Sequence, residues 1–129
     1  MNVLDENILE SQRQLLLKWH VPFRQIGYEI ERKGLKDDEI IPFLRRLRHA
    51  TLFTTDHHFY KRNLCHTRYG LVYLGVEQSE AAIFVRRLFQ HPEFDTQAKR
   101  MGNVIRVSHI GLAVWRLYAE KEAYFGWAD

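Results

Sequence analysis

The sequence contains a single cysteine, Cys65, among its 129 residues. One thiol cannot form an intrachain disulfide, and it cannot supply the cysteine pairs of a structural zinc site. No apolar run approaches the ~20 residues that span a bilayer, and the first residues do not resemble a signal peptide. These absences favour a cytoplasmic protein with no membrane segment and no disulfide framework.

Proline and glycine are also scarce, with three and seven residues. No repeat, linker or low-complexity segment interrupts the chain. With 46% hydrophobic and 27% charged residues, the composition is that of an ordinary globular protein. A chain of this length can bury a core of its own. We therefore treat residues 1–129 as a single domain.

Apolar runs with strand character alternate along the chain with segments of helical spacing. We expect strands at residues 3–4, 23–27, 50–56, 71–76, 103–109 and 112–118. Helices are expected between them: one capped by Asn7 with Glu10 in the capping-box position, one opened by the acids after Gly34, and one capped by Ser79. This alternation predicts an α/β fold, in which helices flank a mostly parallel sheet and the last two strands form an antiparallel edge.

Two of the predicted strands run directly into an aspartate. NVLDEN carries Val3 and Leu4 into Asp5, and LFTTDHHF carries a buried strand into Asp56. Ligands of open α/β sheets bind beyond the carboxyl ends of the strands, so the two acids meet at one rim if their strands are neighbours. Asp37, at the head of the intervening helix, can complete a cluster.

A cluster of carboxylates needs compensation, because its negative charges repel unless a cation or a proton is present. Hard oxygen ligands without cysteine favour Mg²⁺ or Mn²⁺. Such an ion orients a phosphate, stabilises charge on its oxygens and activates a water. The pattern therefore predicts hydrolysis of phosphodiester bonds.

Each acid also has a structural interpretation. Asp37 suits a helix N-cap and Asp56 can cap the segment that begins at His57, a role worth about 1 kcal/mol. Asp5 is harder to explain in this way, because Asn7 already suits the cap and an uncompensated acid beside a core strand is costly.

Pro42 complicates the helix that carries Asp37. It has no N–H to donate to residue 38, so the helix either kinks there or begins later, with Pro42 near its first turn. The sequence leaves open whether Asp37 or Asp38 faces the rim.

Pairs of arginines give the second pattern, against a net charge of only +3. Two such pairs are Arg45 with Arg46 and Arg86 with Arg87, and they can follow a phosphate backbone without reading bases. The alternative for any single pair is a solvated helix face. His58 is a further candidate, either for a phosphate contact or for support of a neighbouring carboxylate.

Histidines concentrate in the same region, at His57, His58 and His66. Their spacing lacks a recognised zinc-ligand pattern, and no cysteine supports a zinc site. We therefore expect Mg²⁺ or Mn²⁺ rather than zinc.

The motifs LDEN, GLKDDEII and LFTTDHHF resemble, in order and spacing, those of the compact PIN-like domain nucleases, in particular a short bacterial group. The resemblance covers about residues 2–90. It implies a PIN-like fold and a metal-dependent ribonuclease, often the toxin of a toxin–antitoxin pair, with an antitoxin protein as partner. Carried over by position, Asp5, Asp37 and Asp56 would be the catalytic, metal-binding acids.

Two positions depart from the family pattern. Thr55 stands where the family commonly has arginine, and His58 stands where it commonly has a second aspartate before phenylalanine. The loss of that acid favours a competing interpretation, a module that keeps the fold but binds nucleic acid or a protein partner without catalysis. Because side chains alternate along a strand, one of Thr54 and Thr55 can reach the site while the other packs.

The chain ends with three aromatic residues: Tyr124, Phe125 and Trp127. We expect them in the core or in a subunit contact, which allows a homodimer. Docking of another partner is the alternative.

Overall fold

A computed structural model describes residues 1–127, and a seven-stranded sheet organises them. The strands are β1 (Asn2–Leu4), β2 (Arg24–Gln25), β3 (Ala50–Thr54), β4 (Tyr69–Leu74), β5 (Val104–Ser108), β6 (Gly111–Trp115) and β7 (Ala123–Phe125). Their order in the sheet is β2-β1-β3-β4-β5-β6-β7. The first five strands are parallel, and β6 and β7 are antiparallel to their neighbours. The predicted α/β class and the antiparallel C-terminal edge are therefore confirmed.

The helices pack on both faces of the sheet. They are α1 (Glu10–Lys18), α2 (Asp37–Arg46), α3 (Ala81–Gln90) and the short α4 (Gln97–Arg100), with 3-10 turns at His57–Phe59, Arg62–Leu64 and Gln78–Glu80. Within residues 1–127, none of the helices has the length and apolar character needed to cross a membrane.

Alternation along the central strands divides the core into two layers. On one face, which we call the α2 face, Val3 and Leu52 pack with Leu44 of α2. On the other, the α1/α3 face, the next residues of the same strands, Leu4 and Phe53, pack with the apolar sides of α1 and α3. Strands buried on both faces read as continuous apolar runs, as the sequence does here.

Two predicted helix caps are wrong. Asn7 does not cap α1, which begins at Glu10 after Leu9. The chain instead turns directly after β1, where the Ile8 N–H donates to the Asp5 carbonyl over 3.2 Å. Ser79 lies in a 3-10 turn, and α3 follows it with Glu80 at the cap position.

Two of the tail aromatics, Tyr124 and Phe125, lie in the edge strand β7, which the sequence did not predict as a strand. Phe125 packs against the core of the α1/α3 face, as expected, and the Trp127 Nε1 donates to the Ser108 carbonyl over 2.9 Å. Tyr124 points the other way and is 71% exposed. A side chain so exposed cannot be a core residue.

Candidate carboxylate site

Asp5 and Asp56 follow neighbouring parallel strands, as predicted. Leu4 of β1 is opposite Phe53 of β3, which places the next residues, Asp5 and Thr54, side by side at the carboxyl edge. The Thr54 hydroxyl donates to Asp5 Oδ2 over 2.7 Å and accepts from the Asp56 N–H over 3.0 Å. Both Asp5 and Thr54 are buried. A single threonine side chain therefore connects the two acids.

The surroundings of Asp5 disfavour its charge. Burial raises the pKa of the Asp5 carboxyl, and the negative charges of Asp37 and Asp56 raise it further. Hydrogen bonds from Thr54 and from the Glu6 N–H act in the opposite direction without cancelling the shift. Both of the other predicted acids thus act on Asp5, and this buried carboxylate would gain from a compensating cation.

Asp37 lies in the exposed first turn of α2, and the helix runs on through Pro42. The cap position belongs to Lys36, whose N–H donates to Glu39 Oε1 over 3.1 Å. The N-cap interpretation of Asp37 is therefore wrong.

Asp56 has a different environment from Asp5. Partial burial raises its pKa, but the N–H and ring of His58 and the nearby His57 outweigh that cause, and the pKa of Asp56 is lowered. Its Oδ1 lies 2.9 Å from the His58 N and 2.8 Å from His58 Nδ1. Asp56 does cap the turn that begins at His57, so this structural interpretation is confirmed. His58 therefore contacts the neighbouring carboxylate, and its role toward a metal ligand or a phosphate stays a prediction.

Metal-ligand geometry separates Asp56 from the other two acids. Within residues 1–127, one group of three side chains brings a potential ligand atom from each within 4.8 Å of the others: Asp56, His57 and His58. Asp5 and Asp37 lie outside this group, and so does His66, which stacks on Tyr69. Magnesium commonly uses one or two carboxylates and keeps several waters. Binding of Mg²⁺ or Mn²⁺ by Asp5, Asp37 and Asp56 therefore stays a prediction, and the imidazoles beside Asp56 also suit transition metals.

Gln25 organises the chain after β1, and the sequence reasoning missed it. Its side chain is fully buried, and Nε2 donates to the carbonyls of Asp5, Glu6 and Ile8 over 3.0, 3.3 and 3.1 Å. Its Oε1 accepts from Arg13 over 3.1 Å. This glutamine sets the turn that presents Asp5. A buried polar residue in a two-residue strand leaves no periodic signal from which to predict it.

Glu6 positions the third acid. Its carboxylate accepts from the Gly34 N–H, with Oε1 and Oε2 at 2.9 and 3.1 Å. Gly34 has a φ of +79°, a conformation that favours glycine. The contact ties the loop before α2 to the rim of the sheet and brings Asp37 near Asp5. The sequence analysis did not single out Glu6, and its only signal there is its place directly after Asp5 in LDEN.

The first predicted arginine pair lies at the far end of α2. Arg45 is eight residues after Asp37, which corresponds to ~12 Å along a helix. Arg45 interacts with the Tyr69 hydroxyl, and Arg46 lies over the Phe43 ring at 6.0 Å. The structure does not bring this pair to the carboxylates.

The second pair is on the opposite face of the sheet, with α3. The Arg86 guanidinium lies 3.8 Å from the centre of the Trp19 ring, and that of Arg87 lies 4.3 Å from the centre of Trp127. Asp5 and Thr54 belong to the α2 face, so these arginines are separated from the acids by the sheet. RNA binding by either arginine pair stays a prediction, and such binding would take place on surfaces away from the carboxylates.

Comparison with protein-family models, curated proteins and solved structures finds no match to this chain. Membership of the PIN-like nucleases stays a prediction that depends on three motifs. Function is inferred from the geometry and charge of the site.

Proposed function

We propose that the protein is a divalent-metal-dependent hydrolase of phosphodiester bonds, with RNA as substrate. The observation that supports this most is the buried Asp5 carboxylate at the ends of β1 and β3. Its charge is disfavoured by burial and by two neighbouring acids. Burying such a charge costs free energy, and the fold does not need it there, because backbone groups and Gln25 already form the turn.

Asp5 and Asp56 would hold Mg²⁺ or Mn²⁺, with Asp37 contributing through water from the head of α2. A bound divalent ion supplies charge for the phosphoryl oxygens and lowers the pKa of a coordinated water. Thr54 fixes the orientation of Asp5 through its hydroxyl. His58 holds Asp56 through Oδ1, which orients that carboxylate at the rim.

The sequence, rather than the geometry, supports three finer parts of the proposal: RNA as the substrate, a role as a toxin with an antitoxin protein partner, and a cytoplasmic location. The carboxylate site itself requires a phosphodiester and a cation, not a particular sugar. These finer parts of the proposal therefore need their own tests.

The experiment is degradation of labelled single-stranded RNA by purified protein in Mg²⁺, Mn²⁺ or EDTA. We expect cleavage to need metal, and to fall by orders of magnitude in Asp5→Asn and Asp56→Asn. Asp38→Asn is the matched control, since Asp38 adjoins Asp37 in the same helical turn, and we expect it to keep activity. Undiminished cleavage in EDTA, or in Asp5→Asn, would refute the mechanism.

A second candidate is a binding module without catalysis. It is favoured by the exposed His57 and His58 beside Asp56, where an additional acid would complete a carboxylate site. Calorimetry with Mn²⁺ and RNA separates the two candidates. A module binds RNA without metal and leaves it intact, whereas the hydrolase binds Mn²⁺ and loses that binding in Asp5→Asn.

A further inference from the structure

The carboxylate site is one end of a row of side chains that crosses the sheet. Residues directly opposite each other in paired strands point to the same face. From Thr54 the pairing continues strand by strand through four residues: Tyr73, Arg106, Ala113 and Tyr124. The row therefore lies on the α2 face and joins Asp5 to the edge strand β7.

In the far half of this row, two exposed side chains, Arg106 and Tyr124, flank the buried Ala113. The described helix on this face, α2, packs over β1 and β3, whereas Arg106 is exposed and Tyr124 is 71% exposed. Between Arg106 and Tyr124 stands the small side chain of Ala113. A cleft of about 290 Å³ results, with these three residues and Ile110 in its lining. We call the surface formed by Arg106, Ala113 and Tyr124 the edge face.

The cation of the edge face is already stacked on an aromatic ring. The Arg106 guanidinium lies 5.1 Å from the centre of the Tyr60 ring. The hydroxyl of the same tyrosine donates a hydrogen bond to Glu122 Oε2 over 2.7 Å. A second stack follows beside it, where Arg62 lies 5.6 Å from the centre of Trp115 in a cleft of about 680 Å³.

We propose that the edge face binds unpaired nucleotides of the RNA whose phosphodiester is presented to Asp5, with one base seated in the cleft between Arg106 and Tyr124. This inference depends on the proposed function for its substrate. Exposed aromatic rings beside cations are the elements with which proteins hold single strands, because every base has a face that stacks and every nucleotide has a phosphate. Duplex RNA keeps its bases stacked within the helix and cannot offer one to the cleft.

The distance along the row suits a single continuous ligand. Asp5 follows β1, and four strand spacings separate β1 from β6, which corresponds to ~19 Å. One strand of nucleic acid can therefore contact the edge face and the carboxylate rim together. Arg106 also supplies, on the face that carries Asp5, the positive charge that the predicted arginine pairs do not bring to the site.

The test is binding of a short, labelled, unstructured RNA by fluorescence anisotropy, in EDTA so that no hydrolysis occurs. We expect Tyr124→Ser to weaken binding about tenfold, the scale of one lost base stack. Arg106→Gln should weaken binding and reduce the slope of log affinity against log salt by about 0.7. An unlabelled duplex of the same sequence should compete poorly.

Matched controls are Tyr28→Ser and Arg24→Gln, which remove a tyrosine and an arginine near the opposite edge of the sheet. Both should bind RNA like the wild type. Affinity within twofold of wild type in both edge-face variants would overturn the inference. It would also be overturned if Tyr124→Ser converted a dimer to a monomer without changing RNA affinity, since β7 would then be a contact between copies.

The outcomes also separate this inference from the proposed function. RNA that binds through the edge face in EDTA, but is never cleaved in Mn²⁺, supports the inference and refutes the hydrolase. Metal-dependent cleavage with unchanged affinity in both edge-face variants supports the hydrolase and refutes the inference.

Discussion

Replacing Thr54 with valine tests whether the site acids are held as a unit. Valine has nearly the same shape, so the packing of a fully buried side chain is kept while the hydroxyl is lost. The hydroxyl makes two hydrogen bonds, one of 2.7 Å to the Asp5 carboxylate and one of 3.0 Å from the Asp56 N–H. A bond to a charged group is worth about 1.5–3 kcal/mol and a neutral one about 1 kcal/mol, so Thr54→Val should cost about 2–4 kcal/mol of unfolding free energy.

The loss should depend on pH. The Thr54 hydroxyl lowers the pKa of Asp5, so its removal raises that pKa further above the ordinary 3.8. A carboxyl whose folded pKa is raised binds more protons in the folded state, and stability then falls as pH rises from 3.8 through the folded pKa. The difference between wild type and Thr54→Val should therefore be smaller in acid, where the neutral bond from the Asp56 N–H still counts, and should grow toward neutral pH.

Urea unfolding across this pH range measures the effect, and thermal melting should show a decrease on the order of 10 °C at pH 7. Thr55→Val is the control, because that hydroxyl contacts neither acid and its loss should cost less than about 0.5 kcal/mol. In an Asp5→Asn background the cost of Thr54→Val should shrink, since the charged acceptor is gone. A loss below about 0.5 kcal/mol, or one that is the same at every pH, would refute the coupling.

Three further predictions concern the surroundings of the site. In EDTA, Asp5→Asn should raise the melting temperature, because the pKa of Asp5 is raised in the folded protein, and Asp56→Asn should lower it, because the pKa of Asp56 is lowered. Addition of Mn²⁺ should stabilise the wild type but not Asp5→Asn. Gln25→Leu should lower the free energy of unfolding in urea by about 2–4 kcal/mol, because three carbonyls lose their donor. It should also weaken the stabilisation by Mn²⁺, and an unchanged stabilisation would contradict the role of Gln25 in presenting Asp5. The hydrogen bond from Arg13 lowers the pKa of Glu29 to about 2, so Glu29→Gln should cost about 1 kcal/mol at pH 7 after allowance for solvent screening. That cost should disappear as the pH falls from 4.5 to 2, and a pH-independent cost would contradict it.

The fold and the position of two site acids could be predicted from the sequence, because both follow from general rules of parallel sheets. Continuous apolar runs separated by helical segments indicate strands buried on both faces. Once β1 and β3 are neighbours, Asp5 and Asp56 must meet at the carboxyl edge. The two motifs that run from apolar residues into aspartate were therefore sufficient to place them.

The difference between the two acids could not be predicted, because it depends on contacts between residues distant in the chain. Thr54 is 49 residues from Asp5 in the sequence, and Gln25, which binds the Asp5 carbonyl, is 20 residues from it. Spacing also cannot tell which face of the sheet a helix covers. The arginine pairs looked like phosphate contacts in the sequence, yet Arg86 lies with α3 on the face away from Asp5.

The comparison of Asp5 with Asp56 shows how the same local pattern acquires two physical roles. The negative charge of Asp56 is stabilised by local contacts, namely the turn that Asp56 caps and the ring of His58, whether or not a cation is present. Asp5 has the Thr54 hydroxyl and one N–H, and these do not offset its burial and the repulsion of its neighbours. A structural acid is expected to resemble Asp56, because folding alone then keeps it. An acid like Asp5, with a raised pKa, should destabilise the metal-free fold, and a cation at the carboxyl edge would offset that cost. Of the two proposed metal-binding acids, Asp5 is therefore the one whose retention folding alone explains least.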